Sequence, residues 1–396
     1  MIPSVSERSG GPGQAIVPMC RALREQGIDV LIATTDAGLE ARNSNHETLN
    51  GSQTKRNRAP MVQDHSGIPT MFFPAQWGQS FKYSRPLASW LEKNVQDFDL
   101  VHIHAVFNHA CIVAARICRR KTVPYIVRPL GTLDPWSMRQ KSLRKQLFWQ
   151  LAGKEIFKNA VAVQYTAPAE QKAAEESLGV NHGVVVPLGV DASLCAAEQD
   201  DEIFQRQFPS LIGFPYLLVL SRLHPKKGLD ILLKAFLPLI KQPEFARWRL
   251  VLAGDGSKGY VDSLQKRVTA HGGEGVVLFP GWLEGRLKLS ALQHSSLLVL
   301  PSHHENFGMC VVEALACGVP VLVSPHVNLA PEIEAAGAGW VSDLEENALR
   351  ASLIEALRSK DERKLRGEAG KRLALKFDWP AIGQQLAALY SDLLRN

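Results

Sequence analysis

The chain has 396 residues, 45% of them hydrophobic and 21% charged, with a formal net charge of +6. That balance excludes a disordered or collagen-like chain and suits two or three globular domains with real cores. No apolar run approaches the roughly 18 residues of a membrane span. The start, Met1–Cys20, is polar and broken by Gly and Pro, with no apolar leader stretch, so a cytoplasmic protein is expected. The six cysteines (Cys20, Cys111, Cys118, Cys195, Cys310 and Cys317) form no CxxC pair and no metal spacing, and read as reduced thiols. The charge is uneven. Residues 1–190 hold 22 Lys+Arg against 15 Asp+Glu, and the remainder 23 against 24. The basic half suits an anionic partner, either a phosphate-bearing substrate or a membrane surface.

In chain order, Met1–Val5 is short for the first strand of a doubly wound domain. Either the strand is stunted or the start codon lies upstream of Met1. The glycine loop Ser9–Gln14 (SGGPGQ) then leads into a helix at Ala15–Gln26. Gly10, Gly11 and Gly13 can bring backbone N–H groups against phosphate. The loop is not a full GxGxxG, because Ile16 stands at the last glycine position. Short β-branched runs at Ile28–Ala33, Thr70–Phe73, Leu100–His104, Pro124–Arg128, Val161–Tyr165 and Val184–Pro187 predict strands. The polar stretch Arg42–Gly67 predicts a mobile loop. His102 and His104 share one face of a strand, and without a third ligand they read as packing rather than metal-binding residues. The segment Trp136–Lys158 mixes six Lys/Arg with an apolar stripe. It predicts an amphipathic surface helix, or one that rests on anionic lipid.

The irregular stretch Asp191–Pro215 breaks the periodicity and predicts a domain join. Six further strands follow at Tyr216–Leu220, Arg249–Ala253, Val276–Phe279, Leu297–Leu300, Val319–Val323 and Gly339–Val341. Amphipathic helices lie between them, as at Gly228–Ile240 and Gly308–Cys317, and a last one is predicted over Trp379–Leu394. Strand–helix alternation, six strands to each half, predicts two doubly wound parallel sheets.

Two loops in the second half carry the chemistry. In SRLHPKKG, Arg222 offers a planar donor fork and Lys226 and Lys227 offer point charges, with Gly228 opening a helix. That arrangement suits a diphosphate. In HENFGMCVVE, Glu305 and Glu313 bracket a helix start at which Gly308 permits close backbone approach. Each carboxylate can accept hydrogen bonds from neighbouring sugar or ribose hydroxyls. GDGSKG at Gly254–Gly259 fails the phosphate-loop pattern and reads as a turn.

These blocks, with AGDG (Ala253–Gly256), FPGW (Phe279–Trp282), PLGVD (Pro187–Asp191) and ALACGVPVL after Glu313, resemble the retaining glycosyltransferase family 4 of the GT-B fold. The match runs in order over nearly the whole chain, and DLVHIHAVFNHA from Asp99 is similar to members that build exopolysaccharide or lipopolysaccharide. The resemblance implies two Rossmann-like doubly wound domains facing across a cleft: an acceptor domain (1–195), a nucleotide-sugar domain (196–375) and a C-terminal helix (376–396) crossing back. It implies a UDP- or GDP-sugar donor and no cofactor or metal. Arg222 and Lys227 would hold the diphosphate, Glu305 with Asn306, Phe307 and Gly308 the sugar, and Glu313 the ribose, while Gly11, Gly13 and Trp282 would contribute to donor binding. The family's usual histidine falls at Leu130, leaving His109 or Asp134 as candidates for its role. A hexose would pass to a saccharide or lipid-linked acceptor for surface polysaccharide, the protein lying at the inner face of the membrane. Nucleic acid is not an expected partner. A catalytically impaired GT-B subunit acting as a binding module is the main rival. A nucleotide-sugar epimerase, a phosphorylase and, at Asp36, a dehydrogenase fit less well.

Overall fold

The computed structural model describes residues 1–5, 11–37, 61–77, 81–133, 146–196 and 202–395. By contact density the chain forms two compact units. Unit 1 comprises Met1–Gly189 with Trp379–Asn396, and unit 2 comprises Val190–Asp378.

Unit 1 contains β1 (Ile32–Thr35), β2 (Met61–His65), β3 (Ile68–Phe73), β4 (Val101–His104), β5 (Tyr125–Arg128), β6 (Ala162–Tyr165) and β7 (Gly183–Val185). Strand β1 runs parallel to β3, and β4 to β7 form a parallel ladder. Met1–Val5 forms no regular strand, yet it joins the two ladders. Ile2 N donates to Ala33 O at 3.1 Å, Met1 N to His102 O at 2.8 Å, and His104 N to Met1 O at 2.9 Å. These bonds place the opening residues between β1 and β4, where a doubly wound sheet has its first strand.

The stretch expected to be a loop up to Gly67 is partly sheet. Its last part is the edge strand β2, antiparallel to β3 through a tight turn with Ser66 and Gly67 at φ 57° and 87°. Asp64 Oδ1 accepts from Gly67 N at 2.8 Å and fixes that turn. Residues 38–60 lie outside the described set, as do Gly10, Asp134 and the first ten residues of the predicted basic helix. From Gln146 to Lys158 that segment is helical, with a π-helical stretch at Trp149–Gly153.

Side chains alternate along β5 and β6 and fill two cores. Tyr125, Val127, Val163 and Tyr165 pack with the helix His109–Arg120. Ile126 and Ala162 face the helices Gly11–Glu25 and Trp379–Arg395. The last two helices lie in close contact because Gly383 has no side chain; a Cβ there would sit 2.9 Å from Ala22 O.

Unit 2 holds β8 (Tyr216–Leu220), β9 (Arg249–Ala253), β10 (Val277–Gly281), β11 (Leu297–Leu300), β12 (Val321–Val323) and β13 (Gly339–Val341). The sheet is parallel throughout, in the order β10-β9-β8-β11-β12-β13. The near-continuous apolar runs Leu217–Val219, Leu250–Ala253 and Leu297–Leu300 are buried on both faces, as helix-covered parallel strands require. The winding order reverses between β8 and β11, and parallel sheets open a crevice for ligands at such a point, beyond the carboxyl ends of the strands.

Candidate functional site

The chain leaving β8 is held down before it can wander. Ser221 N donates to Ala253 O at 3.1 Å and Leu223 N to Asp255 O at 2.8 Å, so the loop follows the exit of β9. His224 then caps a short 3₁₀ turn, Pro225–Lys227, accepting from Lys226 N on Nδ1 at 3.1 Å. Burial and then the neighbouring Arg222, Lys226 and Lys227 lower the pKa of His224, a measure of the positive field in this loop. Gly228 ends the turn at φ +64° and begins the helix Leu229–Leu239. A Cβ on Gly228 would lie 2.1 Å from Pro301 O, so only glycine lets the β8 loop touch the β11 loop. His303 N completes the junction with a 2.8 Å bond to Lys226 O.

Glu305 is fixed from the other side. Its backbone N donates to His326 O at 3.0 Å, and its carbonyl accepts from Asn328 N at 3.0 Å, tying it to the loop after β12. Its carboxylate forms an ion pair with Lys227 Nζ, the two side chains only 20% and 15% exposed. Phe307 is buried, edge-on to Phe377 with ring centroids 5.6 Å apart. Gly308 adopts φ +76° and serves as N-cap of the helix Met309–Ala316. The first N–H groups of that helix and its positive dipole end therefore open beside Glu305.

Glu313 pairs with a lysine outside the β8 loop. Its Oε1 accepts from Lys288 Nζ at 2.7 Å, a lysine on the helix Gly285–Gln293. Burial by itself would lower the pKa of Lys288, but the Glu313 carboxylate outweighs it and the net shift is upward. Cys310 lies within electrostatic reach of all four groups. Burial pushes its thiol up to about 12, with Lys227 and Lys288 pulling downward and Glu305 and Glu313 pushing upward. The fold thus gathers two carboxylates and two ammonium groups around one thiol. Arg222 is exposed on the β8 loop. Trp282 directly follows β10, an edge strand two places from β8. Lys288 escaped the sequence reading. It lies 25 positions from Glu313, and its one local sign is a lysine among the leucines of GRLKLSALQ.

Three candidate residues belong to unit 1. Gly11 and Gly13, expected in a loop, form the first turn of the helix Gly11–Glu25. A glycine-rich first turn lets helix geometry begin earlier than the apolar pattern shows. His109 opens the helix His109–Arg120, whose N-cap Asn108 accepts from Cys111 N at 3.0 Å. Leu130 stands at φ +58° in a turn closed by Thr132 N to Pro129 O at 3.2 Å. Buried Glu170 braces this turn by accepting from Gly131 N at 2.6 Å and from Thr166 N and Oγ1 at 2.8 Å each. His102 and His104 are stacked at 4.3 Å, and His102 Nδ1 shares a 2.6 Å hydrogen bond with the Tyr390 hydroxyl. Among the described residues no helix is long and apolar enough to cross a membrane.

Comparison with known proteins covers both units. The family model "Glycosyl transferases group 1" matches residues 200–373, and "Glycosyl transferase 4-like domain" matches residues 10–189. A phosphatidyl-myo-inositol mannosyltransferase of Propionibacterium freudenreichii is 26% identical, over 98% of this chain and 93% of its own. A D-inositol 3-phosphate glycosyltransferase of Corynebacterium glutamicum is 22% identical over the same shares, 98% and 93%. Among solved structures, an Anabaena protein, HepE, determined in complex with UDP and glucose, aligns with a TM-score of 0.74 at 21% identity, covering 98% of each chain.

Proposed function

For a chain that belongs to the group 1, family 4 glycosyltransferases, with parallel-sheet units of the GT-B kind, we propose that it moves a hexose from a nucleotide diphosphate sugar with retention of anomeric configuration. The observation that carries this reading is the Lys227–Glu305 pair at the exits of β8 and β11, beside the helix start at Gly308. UDP is the favoured nucleotide, since the HepE complexes hold UDP or UDP-glucose.

In this reading the diphosphate takes over Lys227 and gains Arg222. Glu305, released from its cation, accepts hydrogen bonds from donor-sugar hydroxyls, with backbone groups of Asn306, Phe307 and Gly308 alongside. Glu313 accepts from the ribose, and Lys288 acts as a positioning residue that keeps that carboxylate aimed. Trp282 completes the donor contacts within unit 2. The acceptor hydroxyl oxygen attacks the anomeric carbon on the face from which the phosphate departs. The bond from that carbon to the phosphate oxygen breaks, and the hydroxyl proton passes to the departing phosphate. Arg222 and Lys227 offset the charge that grows on the diphosphate, so the proposed reaction needs no metal. Leu130 cannot carry a proton, which is why the phosphate is assigned that part. The same residue is the observation that favours the second reading, a non-catalytic binding module. A saccharide or lipid-linked acceptor of surface polysaccharide, met at the cytoplasmic face of an anionic membrane, completes the proposal.

Melting temperatures with UDP, GDP, ADP and their sugars, for the protein and for Arg222→Ala, test the donor site. A selective rise with one nucleotide, lost in the variant, supports it; a folded protein that answers none of them argues for the binding module. NMR of the product's anomeric proton then decides retention, and turnover after EDTA treatment decides the metal question.

A further inference from the structure

Beyond the carboxyl edge of the unit 1 sheet, the rings of Phe81 and Tyr83 meet one imidazole, and Trp77 is joined to Tyr83 through the backbone. Trp77 and Tyr83 form an antiparallel bridge, with Gln76 N to Tyr83 O at 2.8 Å and Tyr83 N to Trp77 O at 3.0 Å. His109 N donates to Phe81 O at 2.9 Å, which fastens this short ribbon to the exit of β4. Lys82 adopts φ +53°, a left-handed kink between Phe81 and Tyr83. Both neighbouring rings meet His109, Tyr83 at 4.4 Å and Phe81 at 6.0 Å between centroids. Even so, Trp77 is 69% and Phe81 46% exposed. Large rings fixed by their backbone and left open to water mark a binding surface more often than a packing fault. Residues 78–80 lie outside the described set and are given no part in it.

The imidazole has a defined polarity. Its Nδ1 accepts from Ser84 N at 3.3 Å, so the proton of neutral His109 resides on Nε2. Burial, then the nearby Arg116, lower its pKa and favour that neutral form. In that tautomer His109 presents Nε2–H as a hydrogen-bond donor.

We propose that Trp77, Phe81 and His109 form a pyranose-binding shelf for the sugar acceptor, the indole and phenyl faces stacking on the apolar C–H face of the ring and His109 Nε2–H donating to a ring hydroxyl. This rests on the glycosyltransferase reading above and narrows its acceptor from saccharide or lipid to saccharide. Two exposed rings match one sugar rather than a bilayer. The imidazole N–H beside Phe81 would lose its partner in hydrocarbon, whereas a sugar offers an oxygen to it. The carboxyl edge of a parallel sheet is also where such folds bind small ligands.

The test uses the full chain on an immobilised panel of mono- and disaccharides of glucose, galactose, mannose, rhamnose and N-acetylglucosamine. In parallel, nucleotide-induced stabilisation is measured for the protein and for Trp77→Ala, Trp77→Phe, Phe81→Ala and His109→Phe. The expected result is retention of at least one saccharide. Trp77→Ala should weaken it about tenfold, as loss of a central aromatic contact does. Trp77→Phe should restore most of the binding, His109→Phe should weaken it at unchanged melting temperature, and the nucleotide response should be intact in all four. Saccharide binding that ignores both Trp77→Ala and Phe81→Ala, or no saccharide held at all, overturns the shelf. So does loss of binding to phosphatidylglycerol vesicles in the Trp77→Ala variant without loss of saccharide. A shelf that responds as expected in a protein that binds no nucleotide would remove the donor reading and leave the shelf standing.

Discussion

Units 1 and 2 are both built mainly on parallel strands but finish them in different chemistry. In unit 2 the loops after β8, β11 and β12 are tied to one another by backbone hydrogen bonds, and they hold a partly buried Lys–Glu pair. In unit 1 the chain beyond β3 and β4 brings two aromatic rings against an imidazole whose pKa is lowered by burial and then by Arg116. Charge belongs where a diphosphate must be met and rings where a sugar face must be met. The sheet supplies the ledge in both cases, and a few residues beyond each strand decide what can rest on it.

The sharpest break in that comparison is expected in unit 2. Lys227→Ala removes the cation that would face the diphosphate, and should lower kcat about 10²–10³-fold, the usual cost of losing one such electrostatic contact. The double variant Lys227→Ala/Glu305→Ala should lose less than the sum of the singles, because the two act as a pair; steady-state rates of all three decide it. Next is the junction itself. Gly228→Ala sets a Cβ against Pro301 O at a left-handed φ, whereas Gly213→Ala, at φ +77°, meets nothing within 4 Å. Denaturant unfolding should show a loss of about 3 kcal/mol for the first and about 1 kcal/mol for the second.

In unit 1 the expected break is acid. Burial first, then the nearby Arg128, hold His102 well below the ordinary histidine value; burial, then His102 and Arg128, do the same for His104. The folded state keeps both neutral, while the unfolded chain protonates each below about pH 6.5. Stability should be flat above that pH and fall on acidification by up to about 1.4 kcal/mol per histidine per pH unit. Melting temperatures at pH 7 and pH 5 should diverge, and His104→Asn should reduce the divergence. Smallest is Tyr390→Phe, which deletes the hydrogen bond to His102 and should cost about 1 kcal/mol by urea unfolding with the ligand responses unchanged.

Much of the fold was legible because its strands are short, apolar and bounded by turns. Each of the twelve predicted strands overlaps an observed one. The thirteenth described strand, β2, was missed because MVQDH is an exposed edge without an apolar face, and its one signal was the Ser66–Gly67 turn. Gly11 and Gly13 misled in the other direction, since glycine reads as loop even where it starts a helix. In the candidate site, the residue types of Arg222, Lys227, Glu305 and Glu313 were visible as motifs, but not their partners. That Lys227 meets Glu305 depends on β8 lying beside β11, and that Lys288 meets Glu313 depends on the helix after β10. Pattern in sequence reports local chemistry, while adjacency of strands distant in the chain is settled only by the completed sheet.

The helix Trp379–Arg395 has a consequence in time. Its Ile382, Leu386 and Tyr390 cover Ile16, Met19, Cys20 and Leu23 of the opening helix, yet all of unit 2 lies between the two in the chain. At ribosomal speeds, ~10–40 s pass between the emergence of the last strand of unit 1 and that of its final helix. A nascent chain must keep one greasy flank uncovered for that interval, long after the neighbouring globule has had the chance to form. The half that is written first is finished last, and any chaperone that attends this protein has its work set by that delay.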